Sequence, residues 1–219
     1  MRVPGVTSIS ADLHKFAYAG KGASVLLWRH LEDMRHQIFV ATDFPGGIYA
    51  SPTMLGTRPG GPIAAAWATL QSLGAEGYLA LAKQAADAAD RFRAGIGAIP
   101  GLALLGKSDS TIVSYATIGF DAYALADRME ARGWTVDRQQ RPASIHLTVT
   151  ANHAAIVDEY LKDLAAAVDE VRANPKLAKS GTAPMYGMAA KMPVRRLVAA
   201  NVRKVIADLY APPAGGGRP

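Results

Sequence analysis

The sequence contains no cysteine, which excludes disulfides and thiolate metal sites and suits a reducing cytoplasm. It also lacks long apolar stretches. Runs such as Ala23 to Trp28 and Ala64 to Leu70 fall far short of the roughly 20 residues that cross a bilayer. The opening Met1-Arg2-Val3-Pro4-Gly5-Val6 has no apolar signal core. The expectation is a cytoplasmic chain without a membrane-spanning helix, which leaves room for peripheral membrane association. Metal-ligand spacing is missing too. His14, His30, His36, His146 and His153 form no ligand pattern, and no His-Glu-x-x-His occurs, so no metal is expected. Lysine and arginine number 24 against 18 acidic residues, a net charge of +6. That sign would favour phosphorylated substrates or anionic lipid surfaces, although a mildly basic balance of this size more often marks an ordinary housekeeping protein. The basic residues are scattered, so no nucleic-acid groove is expected.

What is present is an ordinary globular composition: 219 residues, half of them apolar, enough for one large domain or two small ones. Val6 to Ala11 and Ala23 to Trp28 read as buried strands, with Gln37 to Ala41 a weaker third. A loop rich in glycine and proline runs from Pro45 to Pro62. Residues 63–99 are alanine-rich with helical spacing, broken near Gly74 and Gly77 into connecting helices. The character of the chain changes at Gly95 to Gly101.

The stretch 100–210 alternates strand and helix as a small α+β domain with helices on one side of four strands. Leu102 to Leu105 and Thr111 to Ile118 read as a hairpin. Asp121 to Arg132 reads as a helix capped by Asp121 and ended by Gly133. Thr135 to Arg138 and Ser144 to Thr150 read as strands. Ile156 to Val171 reads as a helix with Ile156, Tyr160, Leu164, Val168 and Val171 on one face. A loop passes through Gly181-Thr182-Ala183-Pro184, a last helix spans Val194 to Tyr210, and 211–219 reads as a disordered tail. Met185, Met188 and Met192 read as packing residues and His146 as a satisfied core or interface histidine.

By position alone Lys15 reads as a solvated surface lysine, the usual case in a loop, but its setting allows a second reading. Lys15 follows an apolar strand and sits among Asp12, His14, Phe16 and Tyr18. A close-packed loop there would desolvate its ammonium and favour the free amine, the form that attacks an aldehyde. By contrast, Gly101-Leu102-Ala103-Leu104-Leu105-Gly106-Lys107-Ser108 has the spelling of a nucleotide-binding loop without its context. Its middle residues are strand-like and another strand, not a helix, follows.

The string Ser8-Ile9-Ser10-Ala11-Asp12-Leu13-His14-Lys15-Phe16-Ala17-Tyr18-Ala19-Gly20-Lys21-Gly22 closely resembles the cofactor-lysine segment of the sphingosine-1-phosphate lyases. That family falls in the wider pyridoxal-phosphate group of glutamate and aromatic amino-acid decarboxylases. The His14-Lys15 pair is common to the group, and Lys21-Gly22 is more particular to the lyases. Further segments resemble the same family in order: Pro45 to Met54, Gly56-Thr57-Arg58-Pro59-Gly60-Gly61, Gly133-Trp134, Ser144-Ile145-His146 and Tyr186-Gly187-Met188-Ala189. Ala17 and Gly20 depart from the family's usual Gly and Pro.

This resemblance implies the C-terminal half of such an enzyme. Its fold class would be α/β: part of the pyridoxal-phosphate transferase large domain (1–62), then the connecting helices and the small C-terminal domain. Lys15 would hold pyridoxal 5'-phosphate covalently, with His14 against the cofactor near its phosphate. Lys21 would contact substrate phosphate or act as an acid/base group, and Tyr49 and Ser51 would line the site. Two subunits share each site in this fold, so Gly56, Thr57 and Arg58 would reach a partner's cofactor phosphate. The reaction implied is cleavage of a phosphorylated sphingoid base, an amphiphilic phosphate, to a long-chain aldehyde and phosphoethanolamine. An amino-acid decarboxylase, with Arg58 on the substrate carboxylate, and a noncatalytic subunit of a split enzyme are the other readings. The family's ring-nitrogen aspartate and phosphate-binding turn would lie upstream of Met1. The chain alone is therefore expected to be unstable or inactive, and to act as a homodimer or with an upstream polypeptide.

Overall fold

The structure, a computed structural model, describes residues 2–191 and 195–210. The tail 211–219 and the start of the last helix at Val194 lie outside the described residues, as does Met192. The chain forms two compact units, Met1–Lys83 and Gln84–Pro219, so the division falls inside the helical stretch 63–99.

Unit 1 begins with an antiparallel pair, β1 (Ser8–Asp12) and β2 (Ser24–Trp28), in which Asp12 faces Ser24 and Ser8 faces Trp28. A short helix α1 (Leu31–Met34) leads to a second hairpin, β3 (Phe39–Phe44) and β4 (Gly47–Ser51). Strand β4 lies within what the sequence presents as a loop. Pro45-Gly46 is only its turn, and Tyr49 to Ser51 pair back on Phe39 to Ala41. Gln37 ties the hairpins together, accepting from the Trp28 indole at 3.3 Å and donating to the Pro52 carbonyl at 2.6 Å.

The expectation that Val6 to Ala11 and Ala23 to Trp28 are buried is overturned. Ile9, Leu26 and Leu27 are 41, 43 and 52% exposed. A two-stranded ribbon has two faces and two edges, and unit 1 supplies too few residues to cover them. The long helix α2 (Gly60–Ala98) closes the unit and breaks once, at Gly74 (φ +59°, ψ −178°), a conformation open to glycine. Gly77 stays helical.

Unit 2 is a four-stranded antiparallel sheet in the order β5 (Leu102–Leu104), β6 (Ile112–Thr117), β8 (Ala143–Thr148), β7 (Asp137–Gln140). Against it pack the end of α2, α3 (Ala122–Glu130) and α4 (Val157–Ala173), joining Phe92, Ile96, Leu125, Met129, Leu164 and Val168 in one core with Val113 and Ile145. Asp121 caps α3 as expected, accepting from the amides of Tyr123 and Ala124. At the centre Tyr115 and Tyr160 share a hydroxyl hydrogen bond of 2.7 Å, and burial pushes the Tyr160 phenol up to about 12. Phe92 and Trp134 meet the Tyr160 ring edge-on at 5.3 and 5.1 Å.

Two further elements follow, α5 (Ala183–Lys191) and α6 (Arg195–Leu209). Helix α5 starts at Ala183 and Pro184, inside the stretch Gly181 to Pro184 that the sequence presents as a loop. Met185 is 58% exposed, so the packing role expected of it is not met.

The close approach of α2 and α4 at Gly95 is testable. A Cβ at Gly95 would lie 2.2 Å from Leu161 Cδ1 and 3.0 Å from its Cγ. Helix propensity alone gives Ala an advantage of up to about 1 kcal/mol over Gly. Overpacking costs about 1–3 kcal/mol and wins. Gly95→Ala is expected to lower the denaturation midpoint of unit 2 in urea, and a midpoint that rises would show that Leu161 moves aside freely.

Candidate active site

The site is built in unit 1 where β1 runs into the Leu13–Ala19 loop. Asp12 ends the strand, and its carbonyl accepts from the Lys15 amide at 3.1 Å, which turns the chain at once. The loop closes through the Tyr18 amide on the Lys15 carbonyl (3.2 Å) and the Ala19 amide on the Leu13 carbonyl (2.9 Å). The closure holds Tyr18 at φ +56°, left-handed backbone that costs a non-glycine residue about 1–2 kcal/mol. From α2, beyond the Gly74 break, the Tyr78 hydroxyl donates to the Ala17 carbonyl at 2.7 Å and pins the loop.

Lys15 opens on a cavity of about 500 Å³ bounded by Ser10, Asp12, Phe16, Leu70 and Tyr78. Its Nζ lies 2.7 Å from Asp12 Oδ2. The hydrogen bond from Lys15 and then its charge hold the Asp12 carboxyl below the ordinary carboxylate value. The desolvation expected for Lys15 is absent, since its side chain is 61% exposed. The room and the amine suit a ring aldehyde, so the residues present fit a pyridoxal-phosphate cofactor at its point of attachment.

The remaining expected site residues are not gathered there. His14 is half-buried in the loop beside Lys15, and Lys21 is exposed beyond it; neither bounds the cavity. Tyr49 is exposed on β4, tilted against Phe39 and edge-on to Phe44 at 6.3 and 6.4 Å. Ser51 is buried, its hydroxyl donating to the Thr53 carbonyl at 2.7 Å. Gly56, Thr57 and Arg58 are exposed in the connection to α2. Sequence reasoning missed Tyr78 and Leu70. The helical spacing marks both, and nothing local ties them to a loop some 60 residues earlier. His146, in unit 2, is half-buried with Nδ1 3.8 Å from Asp137 on the neighbouring strand. Among the described residues no group of acidic or histidine side chains could hold a metal ion, and no helix is long and apolar enough to cross a membrane.

No family model matches the chain. A glutamate decarboxylase from Lactobacillus brevis superimposes with a TM-score of 0.63 at 18% identity, covering 82% of this chain and 42% of that one. That likeness shows the fold alone, and the class is the expected one: part of the pyridoxal-phosphate transferase large domain followed by a small α+β domain. A sphingosine-1-phosphate lyase from Burkholderia pseudomallei matches far more of the detail, with a TM-score of 0.79 at 38% identity over 97% of this chain and 44% of that one. A sphingosine-1-phosphate lyase of Oryza sativa is 44% identical over 196 residues, 90% of this chain and 36% of the relative. The chain is similar to the sphingosine-1-phosphate lyases along nine-tenths of its own length, and it spans a little over a third of the length of the curated relatives it matches.

Proposed function

We propose that this chain carries the cofactor-holding lysine of a pyridoxal-phosphate-dependent carbon–carbon lyase that acts on phosphorylated sphingoid bases, with Lys15 as that lysine. The observation that carries the reading is the Lys15 amine at the mouth of a 500 Å³ cavity, within the segment that resembles the family's cofactor-lysine loop. When bound, the cofactor would supply the electron sink for the broken carbon–carbon bond. The chain's own residues attach and orient. Lys15 would hold the cofactor through Nζ, which Asp12 keeps paired at 2.7 Å in its absence. Tyr78 fixes the loop through the Ala17 carbonyl, and Phe16 and Leu70 provide apolar walls. His14, beside the cavity and not on its wall, would meet the cofactor phosphate. Lys21 meets the substrate phosphate or moves a proton at the reacting hydroxyl. Tyr49 and Ser51, which stand outside the cavity in this chain, would line the approach. Gly56, Thr57 and Arg58 stand clear of the cavity in their own chain, which suits a role at a partner's cofactor phosphate in a homodimer. A long-chain aldehyde and phosphoethanolamine are the products of this reading.

Pyridoxal 5'-phosphate added to the purified chain, reduced with borohydride and mapped by peptide mass spectrometry tests the assignment. One dominant adduct on Lys15 is expected. Adducts spread over exposed lysines, or none at all, would favour a noncatalytic portion of a larger assembly.

A further inference from the structure

Helix α6 presents a feature that the Lys15 site does not use. Val202, Val205, Ile206 and Leu209 stand at i, i+3, i+4 and i+7 and form one stripe along the helix. They are 50, 59, 50 and 78% exposed, and Tyr210 just beyond is 86% exposed. A stripe of this regularity facing water is costly unless something covers it. The charge on the same element indicates what does. Its sequence holds Arg195, Arg196, Arg203 and Lys204 against Asp208 as its one acid. Lys204 and Asp208 pair at 2.7 Å on the polar side, which leaves the remaining charge of the element basic. Helical geometry sets Arg203 about 60° from Ile206, at the border of the stripe, where a long cation can bury its stem and keep its head at the surface. With 15 residues the helix is about 22 Å long, too short and too charged to cross a bilayer but suited to lying in its surface.

We propose that α6 docks this protein onto an anionic membrane surface. The stripe of Val202, Val205, Ile206 and Leu209 enters the boundary between headgroups and acyl chains, and Arg203 with the neighbouring basic residues meets lipid phosphates and carboxylates. The inference does not depend on the proposed catalytic role, although an amphiphilic substrate would reside in the same phase.

Flotation of the full chain with vesicles provides the test, comparing phosphatidylcholine alone with phosphatidylcholine containing about 30% phosphatidylserine. At least fivefold more protein is expected on the anionic vesicles, falling as salt is raised. Val205→Glu with Ile206→Glu should bring binding down to the neutral-vesicle level while far-UV circular dichroism stays unchanged. Arg203→Gln keeps both the stripe and the Lys204–Asp208 pair and should lose most of the anionic preference, a second route if the first variant disturbs the helix. Binding that is absent, equal on both vesicles or unaffected by both variants would overturn the proposal. So would wild-type self-association in sedimentation that the Val205→Glu, Ile206→Glu variant abolishes, because the stripe would then belong to a second copy.

Discussion

Replacing Asp127 with alanine is expected to cost unit 2 about 3–5 kcal/mol, the largest single-residue loss outside its apolar core. Asp127 sits on α3, and its two oxygens serve three elements. Oδ1 accepts from the Arg138 guanidinium at 2.7 Å and from the Thr182 hydroxyl. Oδ2 accepts from the amides of Thr182 and Ala183 at 2.9 and 3.0 Å, capping the first turn of α5 from a position 55 residues earlier. The Arg138 side chain is only 5% exposed, lies 5.0 Å over the Tyr186 ring and has Glu130 as its other counter-ion. Loss of a helix cap costs about 0.5–2 kcal/mol, and taking one partner from a buried charge costs more. Because Glu130 stays, the total falls below the sum of the two. Asp127→Asn keeps an acceptor for the cap and should lose about half as much.

The pH dependence carries a sign. Burial alone would raise the Asp127 carboxyl, but hydrogen bonds from Thr182, Arg138 and the Ala183 amide outweigh it and hold the group below its ordinary value. The Arg138 hydrogen bond does the same for Glu130. A carboxyl depressed in the folded state stabilises above its unfolded pKa of about 4, and that contribution is lost as pH falls through the lower folded value. Wild type should therefore lose stability below about pH 4 more steeply than Asp127→Ala does. Urea denaturation followed by Trp134 fluorescence, in a background with Trp28 and Trp67 replaced by Phe, reads unit 2 alone. A loss under about 1 kcal/mol, or parallel acid profiles, would show the network to be dispensable.

The same network explains where the sequence could and could not be read. Helix α4 is legible because its core face is local: Tyr160, Leu164, Val168 and Val171 recur at helical spacing, and all are buried. Helix α5 is illegible because Gly181 and Pro184 look like breakers, whereas its capping carboxylate comes from α3. Pro184 falls in the first turn, where no amide partner is needed. Strand β4 is hidden by Gly46-Gly47 at its start, since its partner Phe39 to Ala41 lies across a turn. Burial is less legible still. Ile9 and Leu27 are as apolar as core residues, but burial depends on what packs over a strand, and unit 1 leaves this ribbon open. Lys15 shows both sides: its place after a strand and beside His14 is plain in the sequence, and its ion pair with Asp12 required the turn geometry.

Lys15→Arg is expected to abolish the borohydride-trapped pyridoxal-phosphate adduct, and Asp12→Asn to increase its rate of formation severalfold at neutral pH. Arginine keeps the charge but offers no amine that can attack an aldehyde, so its effect should be complete. Asp12 acts in the opposite direction. Its carboxylate stays ionised well into the acid range because Lys15 holds it below the ordinary value, and in that form it keeps Nζ engaged at 2.7 Å. Attack requires that nitrogen to be free of both the proton and the carboxylate. Asparagine removes the charge while its side-chain oxygen can still aim the amine. The gain should shrink as salt is added, because the pair is exposed to solvent and screened. Adduct formation timed by mass spectrometry between pH 6 and 9 separates the possibilities. A slower Asp12→Asn variant at every pH would mean that the carboxylate orients Lys15 for attack instead of restraining it, and an adduct that survives Lys15→Arg would move the attachment to another lysine.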